Sequence, residues 1–231
     1  NEYTSAAESQ ARTVWTTDGG RTWLASRPVA GWKTRTRSAA IQLSTGRLLL
    51  PYYHYETSLE QSLAAYSDNG GQTWTTVAVP NVAGLFMGNE WSVVELPDNT
   101  LAGLCRNKLE SGPMAFWITR STDGGESWST PLKTNLVDSR GRSPAHIFLR
   151  DGEPWVVYDD ARMVSVAMAT TSDPDLVKWN VDNRAQAYRY ADAPISDGGY
   201  PSAVAVGDGK YLIVDYLVKG DKHQIIGTFV T

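Results

Sequence analysis

Apolar residues in this chain come in short runs, alternating or rich in β-branched side chains, and the runs come in pairs. The four pairs are residues 38–43 with 48–53, 91–96 with 101–106, 145–149 with 155–158, and 202–206 with 211–214. Turn residues split each pair: Thr45-Gly46, Asp98-Asn99, Asp151-Gly152 and Asp208-Gly209. Such dipeptides between two β-rich runs signal a tight hairpin. No segment of useful length carries the 3.6-residue apolar period, so the pattern predicts successive hairpins almost without helix.

A second motif lies between the hairpins. Residues 16–23 read Thr-Thr-Asp-Gly-Gly-Arg-Thr-Trp, residues 67–74 Ser-Asp-Asn-Gly-Gly-Gln-Thr-Trp, and residues 121–128 Ser-Thr-Asp-Gly-Gly-Glu-Ser-Trp, with a degenerate copy over 171–179. Their third positions, Asp18, Asn69, Asp123 and Asp173, are 51, 54 and 50 residues apart. A period of this length marks stacked supersecondary units. Hydroxyl, carboxylate and amide side chains here bond neighbouring backbone N–H groups, and the paired glycines permit positive φ. Trp23, Trp74, Trp128 and Trp179 then pack back between units. Two inner strands followed by a box-bearing hairpin make one four-stranded antiparallel blade, and the expected fold is an all-β β-propeller. The chain supplies about four and a half to five such blades. It is expected to be a single propeller domain over residues 1–231 that lacks one or more N-terminal blades.

Composition narrows the function. With 231 residues, 42% of them apolar, the chain can bury a full core. A net charge of −4 argues against a nucleic-acid or anionic-membrane surface, so an anionic ligand needs a local basic pocket. Cys105, the one cysteine, excludes an internal disulfide and reads as buried, and no Cys/His spacing suggests zinc. The longest apolar runs, such as residues 48–50, are far short of a membrane span. The first residue is Asn1, with neither Met nor a signal peptide, which reads as a processed or partial product.

Setting the four inner turns in register locates the rim of the central channel, where propellers bind ligands. Eight residues before each turn stand Arg37, Glu90, Ser143 and Tyr200, and eight after it Tyr53, Arg106, Asp159 and Tyr216. Charged and phenolic groups therefore converge there, on strands whose other positions are mostly apolar or small.

The boxes, with residues 89–107 and 197–209, resemble the sialidase (neuraminidase) superfamily. The stronger part of the match is a Glu sixteen residues before an Arg, then a further Arg and a Tyr opening the final inner strand. The resemblance covers nearly the whole chain and corresponds to about the C-terminal two-thirds of a six-bladed sialidase. It implies a retaining glycoside hydrolase acting on a terminal acidic sugar such as sialic acid. By position Tyr200 resembles the family's nucleophile and Glu90 the base that takes its proton. A neutral phenol approaches an anionic sugar without like-charge repulsion but needs such a base, its free pKa being about 10. Arg106 and Arg162 resemble two of the three arginines that clamp the substrate carboxylate, their planar forks matching it bidentately. The family's first arginine and its aspartate acid/base have no motif here; Arg35 or Arg37 stands in for the former, and Asp159 or Asp160 for the latter. Tyr53 joins the substrate-binding set.

Other readings stay open. The box carboxylates and tryptophans read as turn and packing residues. Trp32 and Trp91, outside the boxes, are unassigned. Arg106 and Arg162 could be paired within the scaffold, and Tyr200 could be a packed channel tyrosine. A non-catalytic carbohydrate-binding propeller is the main alternative. A polysaccharide lyase using a tyrosine or His54 against a uronate is another; His146 reads as structural. The expected partner is a glycan, with no cofactor, no metal, no nucleic acid and no membrane span, and a secreted or periplasmic location follows from the substrate class.

Overall fold

The computed structural model describes residues 9–56, 60–109, 113–138, 143–160, 165–189, 197–219 and 222–231. Among them there is no helix, and the strands form successive antiparallel sheets in chain order. β1 (Gln10–Thr13) and β2 (Arg27–Trp32) make a two-stranded sheet around the first box. The second sheet holds β3 (Thr34–Thr36), β4 (Ile41–Gln42), β5 (Leu48–His54), β6 (Gln61–Ser67) and β7 (Thr75–Ala78). Two regular four-stranded blades follow. The first contains β8 (Gly88–Glu95), β9 (Leu101–Asn107), β10 (Met114–Ser121) and β11 (Leu132–Asp138). The other contains β12 (His146–Arg150), β13 (Glu153–Asp160), β14 (Ser165–Thr170) and β15 (Ala185–Arg189). β16 (Asp197–Gly207), β17 (Lys210–Lys219) and β18 (Lys222–Val230) form the last sheet, of three strands. The predicted β-propeller of four-stranded blades is thus the observed fold.

One predicted strand is broken. Instead of a continuous inner strand over residues 38–43, β3 pairs with the far half of β5 (Thr34↔His54 to Thr36↔Tyr52) and β4 with its near half (Ile41↔Leu49, Gln42↔Leu48). Residues 37–40 lie outside the ladder, which releases Arg37 from the sheet.

The inner turns divide into two kinds. Gly46 (φ +88°) and Asn99 (φ +65°) end three-residue loops, closed by Leu43 N–H to Arg47 O and Leu96 N–H to Thr100 O, both 2.8 Å. Asp151-Gly152 and Asp208-Gly209 have positive φ at both positions, the type I′ geometry whose twist matches the strands.

The boxes are satisfied by their own turns. In the first, Asp18 Oδ1 accepts from Thr22 N–H at 2.9 Å and from Thr16 Oγ1 at 2.8 Å. Asp123 repeats this with Ser127 N–H at 2.9 Å and Ser121 Oγ at 2.7 Å, and Asp173 with Lys178 N–H at 2.8 Å. The second and third boxes lean on the sheet before them: a Cβ at Gly71 would meet Trp15, and one at Gly125 would meet Leu49. The first box heads the first described sheet, and Trp23 is 60% exposed where Trp128 and Trp179 are buried. Its packing role is therefore not seen among the described residues.

Blades join through the channel side and through aromatic packing. Ser38 Oγ, in the break between β3 and β4, donates to Trp91 O (3.0 Å), Ser92 Oγ to Ala145 O (3.1 Å), and Ala203 N–H to His146 Nδ1 (3.0 Å), each from one blade to its neighbour. Trp91 is wholly buried, donates through Nε1 to Tyr52 O at 2.8 Å, and meets Trp128 edge-on at 4.9 Å between ring centroids. Gly103 faces this ring because a Cβ there would come within 2.7 Å of it. Trp32, by contrast, is exposed.

Candidate active site

Two β-bulges at equivalent heights build the centre of the site. In β8 the register jumps from Gly88↔Asn107 to Trp91↔Cys105, so Asn89 and Glu90 together oppose Arg106. In β16 it jumps from Gly199↔Tyr216 to Ser202↔Val214, so Tyr200 and Pro201 oppose Asp215. A bulge re-aims the side chain it carries. The first is held by Ser62, whose Oγ donates to Asn89 O at 2.7 Å and against which Gly88 packs too closely for any Cβ. At the second, Tyr200 adopts φ +75° after Gly198 (φ +158°) and Gly199 (φ +103°). A bulky residue in the left-handed region costs on the order of 1–3 kcal/mol and persists only where its surroundings over-determine it.

The bulges bring three predicted residues together. Glu90 Oε2 accepts from Arg106 Nη1 at 2.7 Å, and both side chains are largely buried. The Tyr200 phenol lies beside the same carboxylate. Burial first, then the Glu90 charge and its pull on the phenolic proton, push the Tyr200 pKa well above that of a free tyrosine, and Arg106 offsets only part. The phenol is therefore neutral at rest. Burial works against the Arg106 charge, yet Glu90 beside it, with Tyr200 and Asp138 nearby, leaves its pKa above the ordinary value. Tyr216 packs its ring 5.8 Å from that of Tyr200.

Other predicted residues take different places. Arg37 crosses from the break between β3 and β4 to the last sheet, donating to Pro201 O (Nη2, 2.5 Å) and Ser202 Oγ (Nη1, 3.2 Å). Burial lowers its pKa to about 10, against the opposing pull of Glu90, Tyr200 and Asp215, so it remains cationic at neutral pH. Tyr53 is buried at the edge of the cluster, where burial and then Glu90 raise its pKa. Asp159 is 1% exposed and lies under the second bulge, its Oδ2 3.5 Å from where a Gly199 Cβ would stand. Asp160 points elsewhere and holds Arg184 at 2.5 Å. Ser143 Oγ donates to Gly198 O at 3.1 Å. His54 ends β5, opposite Thr34 and Gln61. Buried Cys105 has its pKa pushed to about 12, an unreactive thiol. Arg162 lies outside the described residues.

The structure adds neighbours that the inner-turn register did not reach. Arg35, paired across from Tyr53, sets its charge beside that phenol and stacks 4.2 Å over the Tyr55 ring. Glu60 is 3% exposed, pairs with Lys108 at 3.1 Å, and has its pKa raised chiefly by burial. Asp138 Oδ2 accepts from Ser143 N–H at 2.8 Å. Glu60 and Lys108 lie outside the aligned positions, and no periodicity marked them. Among the described residues no group of three His, Cys, Asp or Glu side chains could hold a metal ion, and no helix is long and apolar enough to cross a membrane.

A family profile described as a BNR repeat-like domain matches residues 2–213. The anhydrosialidase of Macrobdella decora is 34% identical over 125 residues, which is 50% of this chain and 16% of that protein. Among solved structures, a Dyadobacter fermentans protein of unknown function superposes with a TM-score of 0.75 at 22% identity, over 94% of this chain and 63% of its own. The Penicillium chrysogenum α-L-arabinanase, complexed with arabinobiose, superposes with a TM-score of 0.69 at 16% identity, over 83% of this chain and 61% of its own. The chain thus spans less than two thirds of each of these relatives.

Proposed function

The chain belongs to the BNR repeat-like family of sialidase-like β-propellers, and on that premise we propose that it forms part of a glycoside hydrolase removing a terminal acidic sugar, sialic acid, from glycoconjugates. The observation that carries this reading is the contact of Tyr200 with Glu90, itself held by Arg106 at 2.7 Å. In the proposed step the Tyr200 oxygen bonds to the anomeric carbon as the glycosidic C–O bond breaks. The phenolic proton passes to Glu90, and the departing oxygen takes a proton from a water molecule as it leaves, the hydroxide so formed being neutralised by solvent. A second displacement by water returns the tyrosine and completes retention. The raised Tyr200 pKa fits this order of events. The phenol reaches the anionic sugar uncharged and gives up its proton only as the bond forms. Arg106, with Arg162, supplies the positive charge that binds the sugar carboxylate.

A second reading, a propeller that binds glycans without cleaving them, is favoured by one observation: Arg106 already spends Nη1 on Glu90. The full-length gene product assayed with a fluorogenic sialoside separates the two. Turnover that Tyr200→Phe abolishes, with the fold intact by circular dichroism, supports hydrolysis. Sialoside binding without turnover supports the binding module, and turnover retained in Tyr200→Phe sinks the nucleophile assignment.

A further inference from the structure

The segment that bears Tyr200 is pinned on both sides by groups from other blades. Ahead of it, Ser143 Oγ donates to Gly198 O at 3.1 Å while the Ser143 N–H is anchored on Asp138 Oδ2 at 2.8 Å. Behind it, Arg37 reaches from the break between β3 and β4 to Pro201 O and Ser202 Oγ. Gly199 fits between only because it lacks a side chain, since its Cβ would fall 1.9 Å from Ser143 Oγ. Tyr200 itself sits at φ +75°, a conformation its own backbone disfavours. Something outside the residue must hold it, and these contacts are what surrounds it.

From this geometry we infer that Arg37 and Ser143 are positioning residues for Tyr200, Arg37 gripping the backbone beyond the tyrosine instead of the substrate carboxylate. The inference rests on Tyr200 being the nucleophile. Arg37 can serve because residues 37–40 are out of the ladder, which frees its side chain to reach the last sheet. Its planar fork presents two donors to two acceptors at once, which the single ammonium of lysine does not reproduce. The Arg37 charge also faces Glu90, Tyr200 and Asp215. A displaced phenol loses alignment with the anomeric carbon, and a misplacement of about 1 Å can cost about 100-fold in rate.

The test uses the full-length protein with 3-fluorotyrosine placed at position 200, in the wild type and in Arg37→Lys, Arg37→Ala and Ser143→Ala. Three quantities are read: kcat and KM on a fluorogenic sialoside, the inhibition constant of free sialic acid, and the fluorine resonance. The expected result is a kcat roughly 100-fold lower in Arg37→Ala, with KM and the inhibition constant within about threefold and the resonance shifted or broadened. Ser143→Ala moves the resonance the same way, and Arg37→Lys restores little. Arg37 is a carboxylate clamp, and the inference is overturned, if KM and the inhibition constant rise tenfold or more with kcat and the resonance unchanged. If the wild type proves inactive or Tyr200→Phe stays active, the hydrolase reading fails on its own. The resonance still decides the positioning: shifted in Arg37→Ala and Ser143→Ala it stands, unchanged it falls. Arg37→Lys guards against global unfolding in Arg37→Ala.

Discussion

Glu90 and Arg106 face each other across one blade, on adjacent strands sixteen residues apart, with Oε2 and Nη1 at 2.7 Å. The pair is therefore not a bolt between blades. A bulge on one strand sets Glu90 opposite Arg106 and leaves its carboxylate open to a third group from the last sheet, Tyr200. A carboxylate held by an arginine and set beside a phenol is placed to accept the phenolic proton.

Glu90→Gln keeps an acceptor for Arg106 but cannot take that proton. We expect kcat to fall about 10²- to 10⁴-fold, the usual contribution of a general base, with a melting temperature close to the parent's. Glu90→Ala should also melt earlier, because it removes the carboxylate that pairs with the Arg106 charge in a largely buried setting. Steady-state kinetics and calorimetry on both variants check this.

His146 gives the protein a pH-dependent stability. Burial, and secondarily the Arg37 charge, lowers its pKa from 6.5 to about 3, and Nδ1 is an acceptor for Ala203 N–H. The folded value lies below the unfolded one, so the neutral ring's contribution is complete above pH 6.5 and is lost as pH falls towards 3. The loss runs at up to about 1.4 kcal/mol per pH unit in that window. Urea unfolding at pH 7, 5 and 4 should show this slope, and His146→Asn, which keeps an acceptor that does not titrate, should flatten it.

The repeat boxes are alike in sequence and unequal in burden. Asp123→Ala removes acceptors from Ser127 and Ser121 in a box whose tryptophan is buried. A loss of about 0.5–2 kcal/mol is expected, as for a side chain that caps backbone N–H groups. Asp18→Ala, in the box with exposed Trp23, should move the urea midpoint less.

Glycines at close approaches should tolerate nothing larger. Gly199→Ala combines φ +103° with a Cβ 1.9 Å from Ser143 Oγ, and Gly103→Ala drives a methyl into the Trp91 ring. Overpacking of this kind costs roughly 1–3 kcal/mol. Both variants should unfold at lower urea, but only Gly199→Ala should also lose kcat in its folded fraction, because only it displaces the Tyr200 segment.

The inner hairpins, their turns and the approximately 50-residue repeat could all be read from period-2 patterning and Gly/Asx punctuation, because those signals act between neighbours in sequence. So could the rim position of Glu90, Arg106 and Tyr200, since a repeating unit places equivalent residues at equivalent heights. The break at residues 37–40 was not legible. It follows from where β5 pairs, and residues 38–43 look like any other strand. Glu60 and Lys108 were missed because their meeting joins the start of β6 to the end of β9, outside the aligned hairpins.

Sequence alone determined the class of fold, the blade period and the residue types at the channel, since backbone alternation and turn chemistry are local. Tertiary structure decided which of those residues touch. It bulged two strands so that Glu90 meets both Arg106 and Tyr200, sent Arg37 to the backbone of the last sheet, and committed Asp160 to Arg184. A register shift of one residue turns a side chain to the other face of its sheet. Such shifts are set by packing between blades, by Ser62 on Asn89 and Ser143 on Gly198, which are partners no local pattern specifies.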